Sequence, residues 1–230
     1  MHYGKLIEDA NEAGLLDKNM RDLSVNFLEA FKGSPSSIKN IFDIIRSMPC
    51  EFRDGIFFLN LNKFLTTLNL DDERQEFLRE VLSDENGTYV NTRRLLQCIE
   101  RIETETKIDY IVNATLALLD KEIDVGEYFR IVNAITNTLD EDLKYLKSQV
   151  LEGNKLRTNL SYCYAIQGLL NSGLMYEKSV ADSPTGGYCF SRFGLLVDKY
   201  ALSYGEANKY DSINIDEVVM GPSVWLDIKS

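Results

Sequence analysis

Two runs of acidic residues are the parts of this sequence best suited to chemistry. Asp-Asp-Glu at 71–73 and Asp-Glu-Asp at 140–142 bring carboxylates together, as general acid–base catalysis or metal binding requires. Each run also stands where a helix is predicted to begin, and acidic side chains there interact favourably with the helix dipole. We therefore interpret both runs as helix starts, and we predict no catalytic residue, no metal site and no cofactor.

Other common chemistries lack a residue type or a spacing that they need. The single histidine is His2, so Ser-His-Asp and Cys-His arrangements and histidine metal sites have no central residue away from the terminus. Neither of the two common phosphate-binding glycine motifs occurs. Cys50, Cys98, Cys163 and Cys189 contain no Cys-x-x-Cys pair, so we expect free thiols. By elimination, the sequence favours a protein that is not an enzyme.

The composition favours a globular, acidic protein. The chain has 230 residues, 44% of them hydrophobic, and a formal net charge of -11, most of which lies before residue 156. Such a charge repels nucleic acid and anionic lipid and favours basic partners. The N-terminus does not resemble a signal peptide, and no apolar stretch reaches the roughly 20 residues that a membrane span needs. We expect a cytoplasmic protein without membrane attachment.

Hydrophobic spacing predicts a mainly α fold, in which a multi-helix body is followed by a winged-helix-like α+β module. Asp124 and Glu127 form a capping-box pattern at one helix start, and Thr138 and Glu141 repeat it at the next. Further helices are predicted to begin near residues 34, 52, 72, 91 and 108. The predicted divisions are an N-terminal arm of uncertain order (1–33), a helical domain (34–155), the winged-helix-like module (156–204) and a C-terminal tail (205–230).

The module is predicted from the order of its elements. A helix over 159–171 with Tyr162 facing inward precedes two short strands, 174–177 and 188–191, which are joined by a polar turn over 181–187, and a second helix follows. This order is typical of a winged helix, and the alternative is a plain hairpin packed beside helices. The tail contains a strand-like stretch over 213–220 and Trp225 near its end.

The composition of the module favours protein docking over DNA binding. Its candidate recognition helix contains no Lys or Arg, whereas DNA readers use these residues to neutralise phosphates and to contact bases. Tyrosine is frequent here, and it is a common anchor at protein interfaces. The alternative interpretation of these tyrosines is that they belong to the core. The residues predicted to form an interaction surface are Tyr164, Tyr176, Lys178, Tyr188 and Arg192.

Several segments over residues 52–146 carry a resemblance to a known group of proteins. They read FRDGIF at 52–57, KFL at 63–65, IERIETETKIDYIVNAT at 99–115, ID at 123–124, YFR at 128–130 and TLDEDL at 138–143. In this pattern the chain resembles uncharacterised helical proteins of bacteria and their prophages. The resemblance implies a mobile-element or phage-defence context and brings no catalytic residue. Members often carry a hydrophobic segment before the Arg-Asp pair, but here residues 37–48 include Lys39, Asp43 and Arg46, which does not favour membrane attachment.

These observations lead to three hypotheses about function. The first is a non-enzymatic protein-interaction or regulatory protein whose C-terminal module docks onto a protein partner. The second is a winged-helix transcriptional regulator that binds DNA as a dimer, since a second module would double a small basic footprint. The third is an acidic inhibitor or immunity protein for a basic toxin or nuclease, which the charge of the N-terminal part suggests. The sequence leaves open whether the chain forms a homo-oligomer.

Overall fold

The computed structural model describes residues 15–31, 35–47, 53–68, 70–83, 89–152, 155–157, 159–178, 187–206, 209–210, 213–215 and 218. These residues are mainly helical with a few short antiparallel strands, as the sequence predicts. The chain divides into two compact units, Met1–Ile108 and Asp109–Ser230. This boundary lies earlier in the chain than residue 155, where the sequence suggested that the helical domain ends.

In its described residues, the first unit holds five helices and the start of a sixth, which continues into the second unit. Its first helix lies within the segment that the sequence left as an arm of uncertain order. The elements of the chain are α1 (Leu15–Ala30), α2 (Pro35–Ser47), α3 (Arg53–Thr67), α4 (Asp72–Leu82), α5 (Val90–Glu100), α6 (Glu105–Leu119), α7 (Val125–Asn137), α8 (Asp140–Gln149), β1 (Leu151–Glu152), β2 (Lys155–Leu156), α9 (Tyr164–Asn171), β3 (Met175–Lys178), β4 (Gly187–Phe190), α10 (Arg192–Val197) and a π-helical turn (Asp198–Leu202).

An aromatic cluster forms the centre of the first unit. The ring of Phe27 on α1 lies 5.0 Å from that of Phe31 in an edge-on contact and stacks at 6.2 Å on that of Phe64 on α3. All three side chains are buried. The buried amide of Asn60 donates a 2.9 Å hydrogen bond to the carbonyl of Ile102, which ties α3 to the residues after α5. Aromatic pairs of this kind each add about 1 kcal/mol beyond the area that they bury.

Two helix starts are confirmed in atomic detail. Asp71 caps α4, because its carboxylate accepts a 2.9 Å hydrogen bond from the backbone N–H of Arg74. At α7 the predicted capping box is present: Asp124 accepts from the N–H of Glu127, and Glu127 accepts in turn from the N–H of Asp124. Both exposed acids thus satisfy backbone groups that the first helical turn leaves unpaired.

The capping box predicted at Thr138 and Glu141 is wrong. Helix α8 follows Leu139, which makes no side-chain cap bond. Thr138 instead ends α7, since its N–H donates a 3.0 Å hydrogen bond to the carbonyl of Ala134. Its hydroxyl is buried without a hydrogen-bond partner among the described residues. Thr138 is the C-cap residue of α7, so it is not the N-cap residue of α8.

The second unit packs α6, α7 and α8 around apolar residues and a hydrogen-bonded tyrosine. Tyr128 on α7 is fully buried, and its hydroxyl lies 3.1 Å from the Thr115 hydroxyl on α6. Thr115 donates to the carbonyl of Ile111, so the Tyr128 hydroxyl acts as the donor between the two. The amide of Asn113 donates a 2.8 Å hydrogen bond to the carbonyl of Ala201, which ties α6 to the π-helical turn.

The helix predicted over 159–171 begins later than expected. Asn159 has a left-handed backbone (φ 57°), and Leu160 exchanges two backbone hydrogen bonds of 3.0 and 3.2 Å with Tyr188 on β4. These bonds use backbone groups that a helix would need, so α9 starts only at Tyr164. The predicted order of helix, two paired strands and helix is nevertheless present over α9, β3, β4 and α10.

The tail contains no strand in its described part. The N–H of Val218 donates a 3.2 Å hydrogen bond to the carbonyl of Ile215, which is a turn bond, and the described residues of the strand-like stretch, 213–215 and 218, are not in a strand. Four features singled out in the sequence lie outside the described residues, namely His2, Cys50, residues 181–186 of the polar turn, and Trp225.

Candidate interaction surface

The β3–β4 hairpin distributes the predicted surface residues over its two faces. Tyr176 lies opposite Cys189, and Glu177 lies opposite Tyr188. Directly opposed residues share a face of a sheet, and neighbours along a strand alternate between faces. Tyr176 and Lys178 therefore lie on one face of the hairpin, and Tyr188 lies on the other.

The structure brings Tyr188 together with a residue that the sequence assigned to the core. Tyr162, predicted to face inward, is 54% exposed, and its ring lies 6.0 Å from that of Tyr188. Tyr164, the first residue of α9, is 90% exposed, whereas Tyr188 and Arg192 are partly buried. An exposed tyrosine, Tyr162, thus precedes α9, and another, Tyr164, is its first residue. The prediction that Tyr162 faces inward is wrong because the residues before Tyr164 are not helical.

A close approach of α8 to α9 lies one turn beyond Tyr164. A Cβ atom placed on Gly168 would come within 1.8 Å of Oδ2 of Asp142 on α8. Since a Cα–Cβ bond is about 1.5 Å long, this oxygen lies no more than about 3.3 Å from the glycine Cα, the distance of a Cα–H···O contact. Only glycine allows this approach. The sequence signal was a glycine inside a predicted helix, where it is normally unfavourable.

Asp142 faces Gly168 from the first turn of α8. The residue is 7% exposed, and neither of its carboxylate oxygens is among the buried side-chain atoms that lack a hydrogen-bond partner in the described part of the chain. Burial raises the pKa of Asp142 above its usual value, and the neighbouring charge of Glu141 raises it further. Lys144, the nearest lysine along α8, pairs at 2.8 Å with Asp140 instead.

Cys163 immediately precedes Tyr164 at the start of α9. Cys163 is the N-cap residue and makes no side-chain cap bond. Burial raises the pKa of Tyr145 to about 12, and a hydrogen bond with the Cys163 side chain adds to the effect. The side chains of Cys98 and Cys189 are buried.

A second polar cluster surrounds Asp198 at the start of the π-helical turn. The carboxylate is fully buried; Oδ1 accepts a 2.9 Å hydrogen bond from Ser203, and Oδ2 accepts from the Tyr210 hydroxyl and, at 2.8 Å, from the Lys209 ammonium. Lys209 also donates to the Ser203 hydroxyl at 2.6 Å and to the carbonyl of Lys147 at 3.2 Å. We call Asp198, Ser203, Lys209 and Tyr210 the clasp.

The clasp is satisfied internally. A serine beside a lysine can act as nucleophile and base in hydrolases, but here Ser203 gives its hydrogen to Asp198. An ammonium group has three donors, and Lys209 uses all three within the protein. Burial raises the pKa of Asp198, while its bonds to Lys209, Tyr210 and Ser203 act in the opposite direction. The arrangement holds residues 209–210 against the π-helical turn and leaves no activated nucleophile.

Within the described part of the chain, no group of three or more His, Cys, Asp and Glu side chains is placed to hold a metal ion. None of the helices described there is both long enough and apolar enough to cross a bilayer.

No protein-family model, curated protein or solved structure matches this chain. The resemblance of residues 52–146 to helical proteins of bacteria and prophages therefore stays a prediction.

Proposed function

We propose that this chain is a non-enzymatic protein-interaction or regulatory protein whose second unit docks onto a partner protein through exposed tyrosines. The observation that carries the proposal is Tyr164, which opens a helix and is 90% exposed. Tyrosine supplies a large contact area with few rotatable bonds, so covering it costs little conformational entropy. It is accordingly among the residues that contribute most to binding at protein interfaces.

Tyr162 and Tyr188 extend this surface on a fixed backbone. Tyr188 exchanges two backbone hydrogen bonds with Leu160 and stands opposite Glu177 across the hairpin. The ring of Tyr162, two residues after Leu160, lies 6.0 Å from that of Tyr188. A surface that is already ordered loses little freedom on binding, which favours its use as a docking face.

The polar chemistry of the second unit supports the non-enzymatic part of the proposal. The clasp uses its serine, lysine and carboxylate on one another, as described above. An enzyme would need at least one such group directed toward a substrate.

A winged-helix DNA regulator is the second candidate, because α9, the paired strands β3 and β4, and α10 follow the order of a winged helix. Two observations favour protein docking over it. Helix α9 contains no lysine or arginine, the residues that contact phosphates and base edges. The connection from α8 to α9 spans residues 150–163, whereas a helix-turn-helix motif joins its helices by a short turn.

Site-specific photo-crosslinking in cells that carry the protein tests the proposal. A photoreactive phenylalanine derivative replaces Tyr164 in one variant and Leu59 in a control variant. Leu59 is a suitable control because it is apolar, helical and 64% exposed, but lies in the first unit. We expect a discrete protein adduct from position 164 and none of the same mass from position 59.

Competition with purified protein shows whether the adduct depends on the surface itself. Excess wild-type chain should abolish the adduct at position 164, whereas excess Tyr164→Ala chain should compete at least about tenfold less well, as expected for a residue that contributes more than 1.4 kcal/mol. Equal adducts from both positions, or equal competition by the two chains, would contradict the proposal. An adduct that consists of DNA and disappears on nuclease treatment would favour the DNA regulator.

A further inference from the structure

The β3–β4 hairpin carries a pair of tyrosine rings beside a carboxylate residue. The rings of Tyr162 and Tyr188 lie 6.0 Å apart and are tilted by 55°. Glu177 is directly opposite Tyr188 in the antiparallel pairing, and opposed residues have Cβ atoms about 5 Å apart on the same face of a sheet. Tyr162 is 54% exposed, and Glu177 is exposed as well. We call Tyr162, Tyr188 and Glu177 the hairpin site.

The backbone that carries the tyrosine pair is held in place. Leu160, two residues before Tyr162, exchanges two backbone hydrogen bonds with Tyr188. The neighbouring residue Gly187 lies so close to Asn159 that a Cβ atom added to it would come within 2.9 Å of the Asn159 Cα. The two segments that carry the rings are therefore fastened to each other, so the rings lose little freedom when a partner binds.

The exposed end of this hairpin face is acidic. Side chains alternate between the two faces of a strand, so Met175 lies on the same face as Glu177, and Lys178, the basic residue of the two strands, lies on the other. Met175 and its opposed residue Phe190 are buried. The part of the face that a partner can reach is therefore the Glu177–Tyr188 pair, and its charge is that of the Glu177 carboxylate.

The chemistry of the hairpin site suits an organic cation. Because the two ring centroids are 6.0 Å apart, a cation about 4 Å from their midpoint lies about 5 Å from both, within the roughly 6 Å over which a cation is attracted to an aromatic ring. Among protein side chains arginine fits best, since its planar guanidinium group stacks on aromatic rings and forms two parallel hydrogen bonds to a carboxylate. The net charge of -11 attracts a basic partner over long distances.

We propose that the hairpin site binds the guanidinium group of an arginine side chain on the partner protein, an inference that rests on the proposed docking function. The guanidinium group lies over the rings of Tyr162 and Tyr188 and pairs with Glu177. Tyr164, two residues after Tyr162, supplies contact area to the same partner. The arginine adds charge complementarity, which selects among partners more than it raises affinity.

Titration of the full-length, ¹⁵N-labelled chain with the capped tripeptide acetyl-glycyl-arginyl-glycine amide tests the inference without knowledge of the partner. One matched probe carries citrulline in place of arginine, which has nearly the same shape but no charge, and another carries lysine. We expect saturable shifts of the amide resonances of Leu160, Glu177 and Tyr188 with the arginine probe. The citrulline probe should bind at least about threefold more weakly, because it lacks both the cation–π and the ionic contact. The lysine probe should bind at least about twofold more weakly, because an ammonium group is more strongly hydrated and does not stack.

Three variants locate the binding. Glu177→Gln should weaken arginine binding about two- to fivefold, as loss of an exposed ion pair does. Tyr162→Leu keeps an apolar side chain but removes one ring, and it should weaken binding about two- to fivefold. Glu152→Gln is the control, because it removes the same charge from an exposed position on β1, and it should leave binding within about 1.5-fold of the wild type. All three replaced side chains are exposed, so the variants should fold, and their amide spectra verify this.

The inference is overturned if the arginine probe does not shift these resonances, if the citrulline or the lysine probe binds as tightly, or if Glu177→Gln weakens binding no more than Glu152→Gln does. Its failure is distinguishable from failure of the docking proposal. A protein adduct at position 164 without arginine binding rejects the hairpin site alone. Arginine binding without an adduct rejects protein docking, and with it the assignment of the arginine to a partner protein.

Discussion

The charge of Lys209 provides a direct test of the clasp. Replacing Lys209 with methionine keeps most of the apolar stem of the side chain, shortens it by one atom and removes three hydrogen bonds, to Asp198, Ser203 and the carbonyl of Lys147. The variant therefore leaves the fully buried Asp198 carboxylate with only two hydroxyl donors.

The size of the effect follows from the burial of the two partners. Removing one member of a buried ion pair costs about 3–5 kcal/mol. The Ser203 and Tyr210 hydroxyls still bond to Asp198, and the Lys209 side chain is 15% exposed, so water can reach part of the vacated space. We therefore expect Lys209→Met to lower the free energy of unfolding of the second unit by about 3 kcal/mol, the low end of that range.

The effect should depend on pH. Burial raises the pKa of Asp198 in the folded chain above 3.8, so the folded carboxyl takes up a proton at a higher pH than the unfolded one does. Its contribution to stability is therefore fully present at low pH and is lost as the pH rises through the raised value. Without Lys209 the folded pKa should rise further, because the ammonium charge no longer favours the carboxylate. The destabilisation should be larger at about pH 8 than at about pH 5.

Urea unfolding followed by far-ultraviolet circular dichroism measures the change, and hydrogen exchange of peptides spanning residues 195–206 locates it. Lys155→Met is the control, because Lys155 is exposed on β2, where surface substitutions change stability by less than about 0.5 kcal/mol. A Lys209→Met variant as stable as the control at both pH values, with unchanged exchange in these peptides, would refute the account of the clasp.

Three further substitutions test the packing of the second unit by the same unfolding assay. Gly168→Ala should destabilise the protein by about 2 kcal/mol, because the added methyl group overlaps with Asp142. In an Asp142→Ala background the same substitution should stabilise the protein by up to about 1 kcal/mol, because alanine has the higher helix propensity. Destabilisation in both backgrounds would contradict the close approach of Asp142 to Gly168. Thr138→Val should be neutral or stabilise by about 1 kcal/mol, because it removes a buried hydroxyl without a partner, and a loss of stability would indicate a hydrogen bond there. Asp124→Ala should cost about 1 kcal/mol through loss of the capping box, and an unchanged midpoint would count against that cap.

The predictions from sequence succeeded where local pattern decides the structure. The capping box at Asp124 depends on residues three apart, and helices such as α4 and α7 carry apolar residues at helical spacing. The prediction over 159–171 was wrong at its start because Leu160 forms backbone hydrogen bonds with Tyr188, 28 residues later in the chain. Such a pairing produces no hydrophobic periodicity in the sequence around Leu160. At Thr138 the sequence pattern predicted the start of α8, whereas the residue caps the end of α7.

The contact between Asp142 and Gly168 was beyond sequence reasoning for a related physical reason. Asp142 lies in the first turn of α8, where an acidic residue is explained by its favourable interaction with the helix dipole. The sequence therefore offered no reason to expect that its side chain contacts Gly168 on the next helix. Glycine within a helix was the one available sign. Tyr164 itself was named from the sequence, but its 90% exposure depends on how α9 packs.

The π-helical turn at Asp198–Leu202 makes the clasp sensitive to insertions and deletions in a way that substitutions would not reveal. The N–H of Ser203 bonds at 2.8 Å to the carbonyl of Asp198, five residues earlier, so this turn accommodates one residue more than an α-helical turn. Loss of one residue between Asp198 and Ser203 would restore α-helical spacing and rotate everything that follows by about 100°. Lys209 and Tyr210 would then no longer reach the buried carboxylate, although the sequence would still contain every residue of the clasp. The number of residues between Asp198 and Ser203, as well as their identity, therefore preserves this part of the protein.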